Sequence, residues 1–125
     1  MDKKIIQKIA IIGDGLTGKL TTIALSKLGY PVEIIGKKGS KPSISVASIS
    51  ISNDSFKFLK ELKINNLEKI CNPINTIKLY ENHNNYLDPD SIFFNKTKKV
   101  PLSYIVLKDK LDKQLEFEIK NQKIS

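Results

Sequence analysis

The chain has 125 residues, enough for one domain with a buried core, and its 21 basic and 13 acidic residues give a formal charge of +8. All 21 basic residues are lysines spread along the chain, and without arginine forks for bases and phosphates this charge argues against nucleic-acid binding. A lone cysteine, Cys71, excludes a disulfide framework or a Cys-based metal site; no run approaches the length of a membrane span and no apolar leader opens the chain, so a soluble cytoplasmic protein is expected.

Ile9–Ile12 is a short apolar run, the pattern of a strand buried on both faces. Gly13-Asp14-Gly15-Leu16-Thr17-Gly18 follows at once and matches G-x-G-x-x-G. A helix is expected over residues 16–28, with Leu16, Leu20, Ile23, Ala24 and Leu28 on one side and Lys27 snorkelling from among them. Gly29 ends that helix, Pro31 prevents its resumption, and Val32–Ile35 reads as a second strand. Residues 8–35 therefore form a βαβ unit. In such a unit Gly13 permits the tight turn, Gly15 admits a pyrophosphate close to backbone, and Gly18 lets helix and strand pack. The free N–H groups and positive dipole end of the helix then face the phosphates.

A rival reading is a P-loop, because Gly13-x-x-x-x-Gly18-Lys19 satisfies all but the last position of that motif. The Ser or Thr needed next for magnesium is replaced by Leu20, and Thr21 comes one residue late, a rotation of about 100° on a helix. Lys19 is accordingly read as a solvated helix residue. A further departure follows the second strand. Dinucleotide folds place an acid there for the ribose hydroxyls, whereas this chain has Gly36, Lys37 and Lys38, with Glu33 inside the strand.

Beyond a Gly, Lys and Ser-rich loop, the pattern from Ser43 is helical, with Val46, Ile49, Phe56 and Leu59 near one face; alternatively the helix begins later, with Ser52 as its N-cap. Residues 63–71 read as a turn and a short helical piece. Residues 74–80 alternate as a strand, residues 81–85 form a polar turn that carries His83, and Tyr86, Leu87 and residues 92–94 suit further antiparallel strands. His83 is assigned no chemistry. Residues 104–106 read as a strand, followed by a helix on Leu107, Leu111, Leu115 and Ile119, with Asp109–Lys113 and Glu116–Lys120 as i,i+4 pairs.

The opening Ile-Ala-Ile-Ile-Gly-Asp-Gly-Leu-Thr-Gly resembles the start of FAD-dependent aromatic monooxygenases. With Ser-Ile-Ser-Val-Ala-Ser, Phe-Leu-Lys-Glu-Leu, Asn-Pro-Ile-Asn-Thr-Ile-Lys-Leu-Tyr and Tyr-Ile-Val-Leu-Lys-Asp-Lys-Leu, the whole chain resembles the N-terminal part of the ubiquinone-biosynthesis hydroxylases, which share the p-hydroxybenzoate hydroxylase fold. The resemblance implies an α/β fold: a Rossmann-like FAD-binding βαβ unit plus a partial antiparallel substrate-domain sheet over residues 73–106, incomplete at the C-terminus. It implies FAD on Gly13, Gly15, Leu16, Thr17 and Gly18, with Lys41 and Lys108 where the family has arginines. NAD(P)H is the implied co-substrate and a prenylated aromatic quinone precursor the implied substrate; association with the periphery of the inner membrane is compatible with that substrate. The family's later flavin-contacting motifs lie past the end of this chain. The expectation is thus a fragment that does not turn over, with a non-catalytic dinucleotide-binding module or an unstable remnant as alternatives.

Overall fold

The computed structural model describes residues 7–36, 46–78, 93–95, 100–122 and 124. Its first unit is the expected one. Strand β1 (Ile9–Ile12) leads through the glycine turn into helix α1 (Leu16–Lys27), which returns to strand β2 (Val32–Ile35). The strands are parallel, with Ile9 opposite Val32 and Ile12 opposite Ile35. The helix stops where the sequence says it should. Gly29 takes φ +94°, a left-handed conformation that a side chain resists, and its N–H donates to Ser26 O at 3.0 Å.

Two expectations for this unit are corrected. β1 is not buried on both faces: Ala10 is exposed and Ile12 is 85% exposed. Among the described residues only β2 pairs with β1, and α1 packs against the pair. Leu28 lies outside the apolar stripe of α1, at 74% exposure. It is the C-cap residue, where the helix has already begun to turn away. Lys27 does snorkel, and its ammonium donates to Leu62 O.

The next segment resolves an alternative left open by the sequence. Ser48–Ser52 is strand β3, and helix α2 (Asn53–Glu61) begins after it. Ser52 caps α2, its Oγ accepting from Ser55 N at 3.1 Å, so the helical reading from Ser43 fails for residues 48–52. The apolar spacing of Val46 and Ile49 is coincidental with a strand in which Ile49 and Ile51 share the inward face. Helix α3 (Leu67–Ile70) is the short piece expected, and Cys71–Ile74 continues from it as β4.

The single strand expected over residues 74–80 divides at Asn75. β4 lies before the break and β5 (Thr76–Lys78) after it, in a different sheet. β5 pairs antiparallel with β6 (Phe93–Asn95), and β7 (Ser103–Leu107) lies between β3 and β4 in a three-stranded antiparallel sheet. The polar turn with His83 and the strand suggested at Tyr86 and Leu87 lie outside the described residues.

Helix α4 (Lys108–Asn121) ends the described structure and closes the core. Its stripe keeps three of the four residues read from the sequence, Leu111 and Leu115 buried and Ile119 packed beside them; Leu107 is instead the last residue of β7, at 39% exposure. Full burial of such a leucine contributes about 1.5–3 kcal/mol. They meet Ile23 of α1, Ile51 of β3, Phe56 and Leu59 of α2, and Val106 of β7 in one cluster. Phe56 stacks on Tyr104 at 3.8 Å between centroids. This core joins the βαβ unit to the antiparallel sheet, with α4 between them.

Candidate functional site

The glycine turn is held by the register of β1 and β2. Gly13 N donates to Ile35 O at 2.8 Å, which carries the ladder one step past the last strand pair. Gly13 takes φ +119°, so the chain reverses there at a cost that any side chain would raise. A methyl built on Gly18 would overlap Gly13 O and lie 2.9 Å from Gly13 C. The first turn of α1 therefore rests directly on the exit of β1, and Gly18 is required by that close approach.

What the turn exposes is chemically simple. Gly15 is the N-cap residue of α1 and offers no side-chain acceptor, and the first turn contains no acid. The first bond across this end of the helix is Lys19 N to Gly15 O, at 3.0 Å. The N–H groups of Leu16, Thr17 and Gly18 precede it and so lack an intrahelical acceptor. A Cβ built on Gly13 or Gly15 would meet nothing within 4 Å. The result is an open helix N-terminus bordered by glycines, which suits an anionic group that brings its own acceptors. The residues present thus fit a pyrophosphate.

Lys19 is corrected. It is only 5% exposed, not solvated. Its Nζ lies 2.6 Å from Asp112 Oδ1 and 3.1 Å from Glu116 Oε1 on α4. Burial pulls its pKa down, but the hydrogen bonds and charges of the two carboxylates outweigh that and hold it above the ordinary 10.5. This arrangement removes the P-loop reading, because the lysine is held by carboxylates of α4 and the Thr21 hydroxyl donates to Thr17 O at 2.8 Å. The signal was present in the sequence: Lys19 is three residues from Leu16 and four from Ile23, on the buried side of α1, while Asp112 and Glu116 are i,i+4 acids on α4. Glu116 accordingly turns to Lys19 and not to Lys120.

The remaining predicted residues separate. Lys108 is the first residue of α4 and is exposed; its backbone N–H donates to Ala47 O at 2.9 Å. It lies one helical turn before Asp112, on the same side of α4. Lys41 lies outside the described residues. Glu33 forms an ion pair with Lys8 at 3.2 Å along the strand pair. Cys71 is buried, and burial raises its thiol pKa. Among the described residues no group of three His, Cys, Asp or Glu is placed to hold a metal ion, and no helix is long and apolar enough to cross a membrane. A depression of about 360 Å³ lined by Lys60, Ile64 and Glu68 opens over the α2–α3 connection, away from the glycine turn.

No protein-family profile matches the chain, and no characterised protein matches it in sequence. In three dimensions it is similar to a 2-methyl-3-hydroxypyridine-5-carboxylic acid oxygenase, with TM-score 0.74 and 16% identity over 97% of this chain. It is also similar to p-nitrophenol 4-monooxygenase PnpA of Pseudomonas putida DLL-E4, with TM-score 0.71 and 15% identity over 93% of this chain. A variant of HpxO from Klebsiella pneumoniae, complexed with FAD, matches with TM-score 0.64 and 15% identity over 92% of this chain. The chain spans 31%, 30% and 30% of these three proteins. The likeness establishes the fold: the parallel pair and small antiparallel sheet match part of the fold of these enzymes.

Proposed function

We propose that this chain is the FAD-binding portion of a flavin-dependent aromatic monooxygenase. The observation that carries the reading is the glycine turn. Its backbone N–H groups, the open space at Gly13 and Gly15, and the close helix contact at Gly18 suit a dinucleotide pyrophosphate. The same fold holds FAD in HpxO. Gly13, Gly15, Leu16, Thr17 and Gly18 would line the pyrophosphate, and Lys108 and Lys41 would supply positive charge. When bound, the flavin supplies the redox and oxygen chemistry; the protein supplies binding and orientation. The sheet of β3, β7 and β4 and the β5–β6 pair form part of the substrate-domain side.

The finer reading takes a prenylated aromatic quinone precursor as substrate and NAD(P)H as reductant. It rests on the sequence resemblance to the ubiquinone-biosynthesis hydroxylases. These 125 residues are read as binding without turnover, since the compared enzymes are about three times as long as the region matched.

Equilibrium titration of the 125-residue chain with FAD, followed by flavin fluorescence, tests the binding reading. Saturable quenching is expected, and it should be lost in Gly15→Leu, which puts a bulky side chain where the pyrophosphate would approach the backbone. An unquenched flavin beside a cooperatively folded chain would overturn it. Steady NADPH oxidation coupled to hydroxylation by the same chain would overturn the reading of no turnover.

A further inference from the structure

The end of β2 offers no acid, yet the structure places one there by another route. The parallel register sets Ile12 beside Ile35 and carries Gly13 to the level of Gly36, with Gly13 N donating to Ile35 O at 2.8 Å. Asp14, the next residue on its chain, lies one step past Gly36 and diagonally beside it. A Cβ built on Gly36 would collide with Asp14 Oδ2 and lie 2.5 Å from Asp14 Cγ and 2.8 Å from Asp14 Cβ. The carboxylate of Asp14 thus lies across the end of β2, in the space that a side chain at 36 would take. Asp14 is exposed, and no hydrogen bond or ion pair engages it among the described residues.

We propose that Asp14 is the acceptor for the ribose hydroxyls of the adenosine, with Gly36 kept small to admit it. The inference rests on the dinucleotide-binding reading of the glycine turn. An ionised carboxylate accepts two hydroxyl donors, and the second strand's end is where such folds bring the ribose. Three features then explain one another: the missing acid after Ile35, the glycine in its place, and an acid at a turn position where charge would otherwise repel the pyrophosphate. Function has moved between adjacent strand ends. An acid at 36 and the observed Asp14 conformer exclude each other sterically.

The alternative role for Asp14 is simple repulsion of the phosphates, and the two roles predict opposite signs. The test is calorimetric titration of the 125-residue chain and its variants with ADP and with 2′,3′-dideoxy-ADP. The ribose role predicts that the wild-type chain prefers ADP by about tenfold or more, the scale of hydrogen bonds to a charged group. It predicts that Asp14→Ala loses that preference by weakening ADP alone, and that Gly36→Ala, which displaces the carboxylate, reduces it in a chain with the same far-ultraviolet circular dichroism. Equal affinity of the wild-type chain for both nucleotides, or tighter ADP binding by Asp14→Ala, overturns the assignment while leaving dinucleotide binding intact. Binding of neither nucleotide by the folded wild-type chain overturns dinucleotide binding itself, and this assignment with it.

Discussion

Replacing Lys19 by methionine removes a buried charge while keeping most of the stem that packs between α1 and α4. The ammonium makes close contacts to Asp112 and Glu116, at 2.6 and 3.1 Å. A hydrogen bond to a charged group contributes about 1.5–3 kcal/mol. Against that stands the dehydration of an ammonium left 5% exposed, several kcal/mol by itself, which the substitution recovers. The two carboxylates are 39% and 52% exposed, so each rehydrates once the lysine is gone. The opposing terms are of similar size, so the net loss in Lys19→Met is expected to be small, no more than about 1 kcal/mol.

Removing the acids instead, in Asp112→Ala with Glu116→Ala, leaves the buried ammonium without a counter-charge. Breaking a buried pair in that way costs about 3–5 kcal/mol. The expected order of stability is wild type, then Lys19→Met, then the double alanine variant, read by urea unfolding under circular dichroism. Adding Lys19→Met to the double alanine variant should recover much of the loss. If Lys19→Met is the more damaging change, or the acid pair can be removed at no cost, the charge at Lys19 is not held as described. The pH dependence has a definite sign. The folded pKa of Lys19 is raised, so its contribution is complete below 10.5 and is lost as pH rises through the higher folded value. The wild-type advantage over Lys19→Met should shrink through that alkaline range.

Three further outcomes are expected. Gly18→Ala forces the first turn of α1 off Gly13 O and should cost about 1–3 kcal/mol of stability in a thermal melt, together with weaker FAD quenching. Ser52→Ala removes the cap of α2 and should cost about 1 kcal/mol in urea unfolding, with no effect on nucleotide affinity. Cys71 is buried with a raised thiol pKa, so a thiol reagent such as dithionitrobenzoate should react slowly with the native chain and rapidly in urea; rapid native labelling would contradict its burial.

The βαβ unit was legible because three local signals agree within residues 8–35: an apolar run, glycines at fixed spacing, and a glycine and a proline at the helix end. Helix α4 was legible from the four-residue spacing of Leu111, Leu115 and Ile119, although the same spacing also took in Leu107 of β7. Where short elements were misread, local pattern was ambiguous. Residues 48–52 carry apolar residues at positions that also suit a helix, and only pairing with β7 decides for a strand. The break at Asn75 was hidden because alternation runs through it, and only the change of partner sheet separates β4 from β5. At the site, Gly13, Gly15 and Gly18 were fixed by backbone geometry that spacing encodes. The Lys19 pairing joins residues 93 apart in sequence, and the contact of Asp14 with Gly36 follows from strand register; neither is a local property. The burial of Lys19 was nonetheless foreshadowed by its place on the apolar side of α1.

The most direct test of dinucleotide binding at the glycine turn is nuclear magnetic resonance of the ¹⁵N-labelled chain during addition of FAD. Binding there predicts the largest amide shifts at Gly13 to Gly18, with smaller changes at Gly36 and Lys108 and little at Ser52 or Cys71. Saturable shifts that centre on the α2–α3 connection, or a folded chain whose glycine-turn amides do not respond, would contradict it.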